Sequence, residues 1–355
     1  MARRAARRAL AAAFLLAAAL AAAAGAAGEE PAGTFGETVE VPLVTLVVRV
    51  VDTWGNPILG LGPEDLRVRV GRRELPVLAL DWVGAAEGPA AAPAPPAGDD
   101  APDTGGPAAP TAAPGRLVVL FVQADLNPTR ISGQLRLRPY TRELLGTLHP
   151  GDRVAVASFD SHLKLWQDFA TDAAATHAAV DRAMVFTPEA PVAAADGPSL
   201  ARHLDRAAAR DAASPERALE LLGSALAKLP GEKTVLFLGW GLGRFDSSGV
   251  RMTPDYRRAV RALAAARAAV FVLDVTSADA HSLAVGLESV AAATGGLYLS
   301  TYRLPGLATR TLARAISGHY VLTLDGAALG DRRGNVEVDL RRRLGTVLAR
   351  TVELR

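Results

Sequence analysis

The 355-residue chain contains no cysteine, which excludes disulfides and anchoring through a lipidated cysteine. It has no GxSxG, HExxH or P-loop motif, so the local signatures of serine hydrolases, zincins and P-loop nucleotide enzymes are missing. Beyond its amino-terminal segment no stretch is apolar enough to span a membrane. It also lacks a concentrated basic stripe. The formal charge of +2 includes Arg3, Arg4, Arg7 and Arg8, and without those four it becomes 2 − 4 = −2. That balance gives no electrostatic case for nucleic-acid binding.

What is present is apolar: 50% of the residues, enough for one large core and a smaller one. The amino terminus reads as a secretory signal peptide over residues 1–27. Four arginines precede an Ala/Leu run to Ala24, and small residues lead into Glu29, placing cleavage near Ala27. The alternative is an uncleaved anchor. The Arg pairs hint at the twin-arginine route, although no Ser precedes them. The expectation is an exported protein, periplasmic or extracellular, without membrane insertion after cleavage.

Residues 36–84 read as a β-rich subdomain. TVEVPLVTLVVRVVD (38–52) is strand-like and runs into a Trp54-Gly55-Asn56-Pro57 turn; LRVRV (66–70) and ELPVLALDWV (74–83) follow around a turn at Gly71 and Arg72. So small a unit is marginal alone and is expected to borrow strands from residues 318–355, where HYVLTL, GNVEVDLRRR and GTVLARTVEL alternate without helices. Residues 85–115 hold eight prolines and no aromatic or long aliphatic residue, the composition of a disordered linker.

Residues 116–317 alternate strand and helix. LVVLFV, RVAVASF, HLKLWQDF, KTVLFLG, AVFVLDV and GLYLST are the strands, and the second and third are close enough to pair antiparallel. A helix is expected around RLRPYTRELLGTL, with Pro139 in its first turn or kinking it, and others near 172–184 and from Pro215, capped by Ser214. Further helices are expected over DYRRAVRALAAARA, HSLAVGLESVAAAT and PGLATRTLARAI. Six such strands imply a doubly wound α/β sheet with one antiparallel edge. Ligands of such sheets bind at the carboxyl ends of the strands, and there LVVLFV runs into Asp125, Asn127 and Thr129, alternating like the oxygen ligands of a metal site.

The buried first strand ending in Asp-x-polar-x-hydroxyl, the long loop before Ser214 and the Gly-rich turn after KTVLFLG resemble a von Willebrand factor A-type domain, and the segment PGDRVAVASFDSHLKLWQDFATD resembles one subgroup of it. The Thr294–Gly296 triplet and VVRVVDTWGNPILGLGPEDLRVRV resemble, within it, the bacterial exported "VWFA-related domain" family of acidobacterial type. The resemblance covers nearly all of residues 40–355 apart from the linker. It implies a six-stranded doubly wound sheet, with a small β-sandwich built from both chain ends, and a non-catalytic module of protein recognition or adhesion. Its metal-ion-dependent adhesion site would use an Asp-x-Ser-x-Ser loop, a Thr from the next long loop and an Asp after the fourth strand. Magnesium requires octahedral oxygen ligation with one or two carboxylates.

This chain departs from that pattern. In one register Gln123 takes the first Asp position, with Asp125 and Asn127 on the Ser positions; in the other, Asp125, Asn127 and Thr129 follow in order. In both, Trp240 stands where the later Asp belongs and supplies no oxygen. With Thr187 or Ser199 as the loop hydroxyl, at most one carboxylate remains, so the expectation is a degenerate site with no cofactor or weakly held magnesium. The expected partner-binding set is Gln123, Asp125, Asn127, Thr129, Thr187, Ser199, Trp240 and Arg244, on the carboxyl end of the sheet, facing a protein partner. Trp240 is either core or an exposed anchor.

Other constellations are weaker. GWGLG fails as a dinucleotide loop because Arg244 or Asp246 stands where the last glycine is needed. Asp160, His162 and Asp168 do not converge well enough for zinc and suit a solvated edge. Asp274, near His281, suits capping a turn. A magnesium-dependent adhesin using Asp125 is the main alternative, and an unrecognised envelope hydrolase a more distant one.

Overall fold

A computed structural model of the chain describes residues 43–84, 115–185, 188–329, 334–341 and 344–354. The signal segment, nearly all of the linker and Thr187 lie outside the described residues.

The α/β body forms around strands whose apolar runs leave no polar face. All seven residues of β5 (Leu117–Gln123), of β8 (Lys233–Gly239) and of β11 (Ala268–Asp274) are buried, as expected of parallel strands covered on both sides. With β6 (Arg153–Phe159), β7 (Leu163–Ala170) and β12 (Tyr298–Ser300) they form one six-stranded sheet in the order β12-β11-β8-β5-β6-β7. Five strands are parallel and β7 runs antiparallel to β6 at the edge. This is the doubly wound sheet with one antiparallel edge that the resemblance implies.

Alternate side chains serve the two faces. Val119, Phe121, Val235, Phe237, Val270 and Val272 pack with Leu219, Leu222, Leu263 and Leu287, from the helices Pro215–Leu226, Pro254–Ala265 and Ala284–Thr294. Leu120, Val122, Leu236, Phe271 and Leu273 pack with Leu137, Val180 and Leu312, from Pro128–Gly146, Ala173–Met184 and Pro305–Ala315. The neighbours β5 and β8 send their onward connections to opposite sides, so the crevice between their carboxyl ends is the topological switch point.

A second layer pair comes from both chain ends. One sheet is ordered β15-β1-β13-β4 and the other β16-β14-β2-β3; in chain order these are β1 (Leu43–Val51), β2 (Leu66–Val70), β3 (Arg73–Leu75), β4 (Val77–Gly84), β13 (Gly318–Asp325), β14 (Gly334–Leu340), β15 (Thr346–Ala349) and β16 (Val352–Leu354). Val48, Val50, Val68, Val70, Tyr320 and Leu322 share one core between them, so the two sheets make a β-sandwich. The Tyr320 hydroxyl donates to the Ile58 carbonyl at 2.9 Å, satisfying the one polar group of a buried aromatic.

Three expectations need correction. The single strand expected over 74–83 breaks at Pro76, whose missing N–H interrupts a ladder, and its halves join different sheets. Residues 345–354 divide in the same way into β15 and β16. The first long helix begins at Pro128, not near Arg136, and Pro139 sits inside it. There the carbonyl that proline leaves unbonded belongs to Leu135, which is exposed, so water can satisfy it. A hairpin, β9 (Arg244–Asp246) with β10 (Gly249–Arg251), follows β8 and was not expected.

Candidate functional site

At the switch point the chain closes on itself through a buried amide. Gln123, the last residue of β5, is fully buried. Its Oε1 accepts the Trp240 and Gly241 amides at 3.0 and 3.3 Å, and its Nε2 donates to the Gly241 carbonyl at 2.9 Å. Gln134, also buried, donates from Nε2 to the Gln123 carbonyl at 2.6 Å. The loops after β5 and β8 are thereby stapled together. Gly241 fits only without a side chain, since a Cβ would lie 2.5 Å from that of Leu283.

Beyond Gln123 the chain turns into its helix by local capping. The Asp125 Oδ1 accepts the Asn127 amide at 2.9 Å, and the Asn127 Oδ1 accepts the Thr129 amide at 3.0 Å as the N-cap of Pro128–Gly146. The second Asp125 oxygen is taken by Nη1 of Arg130 in an ion pair. The guanidinium of Arg130 in turn stacks on Trp240, its Cζ 3.3 Å from the ring centroid. The helix can lie this close because Gly133 abuts the Val275 carbonyl, which a Cβ would meet at 1.8 Å.

Asp125, Asn127, Thr129 and Trp240 are therefore brought together, and Arg244 is exposed on β9 of the adjoining hairpin. Trp240 is half-buried, its ring partly packed on the core and its other contact Arg130, so it belongs to both of the readings offered for it. Two expected members are not on this face. Gln123 cannot touch a partner because its amide is buried and bonded to the loop backbone. Ser199 is buried beneath the long loop, donating to Asp168 Oδ2 at 2.5 Å. Asp168 lies toward the far end of the antiparallel β7, whose Ala170 pairs with Val154 at the start of β6. Ser199 thus sits toward the amino ends of the parallel strands, opposite Asp125.

The adhesion-site magnesium that the sequence resemblance implies does not fit these residues. Gln123 and Asn127 have their amide oxygens committed to backbone N–H groups, Trp240 has none, and the single carboxylate, Asp125, is held by a guanidinium and an amide. An octahedral hard cation would have to displace all of them.

Neighbouring polar groups are structural. Asp168 accepts Ser199, the amides of Ala195, Leu200 and Phe169, and more distantly that of Ala201, fastening the long loop to β7; burial opposes its ionisation, but the Ser199 hydroxyl and these amides hold its carboxyl below the usual range. Asp274 receives the Thr276 amide and hydroxyl at 2.9 and 2.7 Å, which is the expected turn cap, and also His281 Nε2 and the Tyr298 hydroxyl, each at 2.7 Å. Burial and the Asp274 carboxylate push the Tyr298 hydroxyl above its ordinary range. A cleft of about 810 Å³ lies between β7 and residues 188–196 and not at the carboxyl face.

Sequence reasoning missed Arg130, Leu126 and Phe245. Leu126 is 72% exposed between Asp125 and Asn127, and Phe245 is 67% exposed on β9. The Arg-Phe-Asp and Gly-Val-Arg alternation around Ser247 and Ser248 was the available signal for the hairpin.

No family model and no curated protein matches the chain. Among solved structures it is similar to the conserved hypothetical protein BatB from Bacteroides thetaiotaomicron, at 13% identity over 57% of this chain and 98% of that one, TM-score 0.38. A von Willebrand factor type A protein from Catenulispora acidiphila is similar at 15% identity over 68% and 66%, TM-score 0.39. The vWF domain of the type V pili tip protein Mfa5 from Porphyromonas gingivalis is similar at 11% identity over 58% and 96%, TM-score 0.36.

Proposed function

We propose that the chain is an exported, non-catalytic protein-recognition module that engages its partner at the carboxyl end of the α/β sheet. The observation that carries this reading is the exposure of Leu126 and Phe245 on the segments that follow β5 and β8, whose starts are joined by the Gln123 amide and by the Trp240–Arg130 stack. Large apolar side chains held on a rigid base, with an aromatic and arginines nearby, are the composition of an interface centre. The loops are pre-organised by the buried amide, which lowers the ordering cost of binding.

A hydrolytic reading has less support. The one Asp-His-Tyr cluster, at Asp274, is spent on closing a turn, and among the described residues His281 has no second hydrogen-bond partner that could serve as a nucleophile. Export is supported by the signal-like amino terminus alone.

The test is cross-linking in the cell envelope with a photoreactive residue placed at Phe245, compared with one at Leu78 of β4, which is exposed on the sandwich. A discrete adduct at position 245, lost when Leu126→Asp is added, supports the reading. Adducts of equal yield at both positions would sink it.

A further inference from the structure

The misfit to magnesium has a specific cause, a cation belonging to the chain. Resting on the recognition reading above, we propose that the Arg130 guanidinium occupies the metal's role and makes a metal-independent seat for a carboxylate of a partner protein.

Arg130 joins the two loops that a metal would join, through Asp125 on the β5 side and the Trp240 ring on the β8 side. Of its donors only Nη1 is engaged. Nε and Nη2 have no hydrogen bond among the described residues and are not buried, and the side chain is 29% exposed, so a second edge of the fork is open to solvent. A guanidinium held by an ion pair and by an aromatic ring loses little freedom when that edge binds, and its geometry matches a planar carboxylate.

The surroundings select an acceptor. Asp125, Asn127 and Gln123 have their side-chain oxygens committed to N–H donors. The groups left without partners are donors: the open Arg130 edge and the Trp240 Nε1–H, which is buried with no acceptor among the described residues. One carboxylate already neutralises part of the guanidinium, and like-charge repulsion from it disfavours a phosphate dianion over a second monoanion. Leu126, next to Asp125 in the chain, and Phe245, on the strand that follows Trp240, add exposed apolar surface, so the carboxylate is one carried on a protein surface and not a free ion.

The experiment uses the full chain labelled with ¹⁵N and follows the Trp240 indole resonance, assigned with Trp240→Phe. The probe is N-acetylglutamate amide, with N-acetylglutamine amide as its neutral match, each titrated in EDTA and again in magnesium chloride. The expected result is a saturable shift with the acid and none with the amide, equal in EDTA and magnesium. Arg130→Ala abolishes it and Arg130→Lys weakens it several-fold, both variants retaining the wild-type indole resonances of Trp82 and Trp166. A shift that requires magnesium, or one that survives Arg130→Ala, overturns the proposal. Absence of any shift also overturns it, yet leaves recognition through Leu126 and Phe245 standing if the cross-link at position 245 still forms.

Discussion

A single amide group decides how the switch point is built. Gln123 satisfies two backbone N–H groups and one carbonyl in the loop after β8, groups that would otherwise lie buried without partners. Replacing it with leucine preserves size but leaves those groups unpaired, at a cost of about 1–3 kcal/mol. Gln123→Leu should lower the urea midpoint accordingly and broaden the Trp240 indole resonance; an unchanged midpoint would mean the loop is held by other contacts. Asp125 shows the same economy of roles at the surface, since its two oxygens cap a turn and fix Arg130. Glutamine at the position of an expected aspartate was visible in the chain. Its inward orientation was not, because polarity alone suggests exposure and only the neighbouring loop reveals the buried groups it serves.

Element by element, periodicity carried most of the α/β body. Apolar runs such as LVVLFV and AAVFVL have one stable placement, the middle of a covered parallel sheet, and caps such as Ser214 with Pro215 mark helix starts chemically. Boundaries failed where the deciding interaction was distant. Asn127 caps the first helix, but Pro139 drew the expected start inward although its position tolerates proline. Strands that change sheets at Pro76 and Arg350 look continuous because no glycine, asparagine or aspartate turn separates their halves. The long loop illustrates an element held by one side chain. Asp168→Asn puts an amide donor among groups that all donate, so the loop should loosen by about 1–3 kcal/mol. Hydrogen exchange at the Ala195 and Leu200 amides should then accelerate, whereas unchanged protection would show that Asp168 is not its fastening.

At the scale of the whole molecule the sandwich and the α/β body meet over buried charge. Val48 faces Tyr320 in the sandwich core, so Arg49 and His319 share the opposite face of their sheet. Arg49 reaches over Phe271 of β11, its Cζ 5.3 Å from the ring centroid. Burial pushes Arg49 down to about 10, partly offset by the charge of Glu232, so it stays charged at neutral pH. Burial, with Arg49 and Arg116 nearby, pushes His319 down to about 4. The unfolded chain therefore binds a proton at an ordinary histidine pKa of about 6.5 that the folded chain refuses until about pH 4. Stability should fall as pH drops through that window. Urea midpoints measured from pH 7 to pH 4 should decline, and His319→Phe should flatten the decline; an identical slope in the variant would place the acid sensitivity elsewhere. The sequence showed that both chain ends are β-rich, but not that an arginine would be buried between the layers with a half-buried histidine beside it.

Which cation occupies the switch point decides how the site binds. Thermal unfolding of the full chain in EDTA and in excess magnesium chloride measures this directly, because an ion that binds the folded state raises the melting temperature. The expected result is the same melting temperature in both, with Asp125→Ala lowering it equally in each through loss of the Arg130 ion pair. A magnesium-induced rise in the wild type that Asp125→Ala abolishes would rule out Arg130 as the resident cation and restore a working metal site.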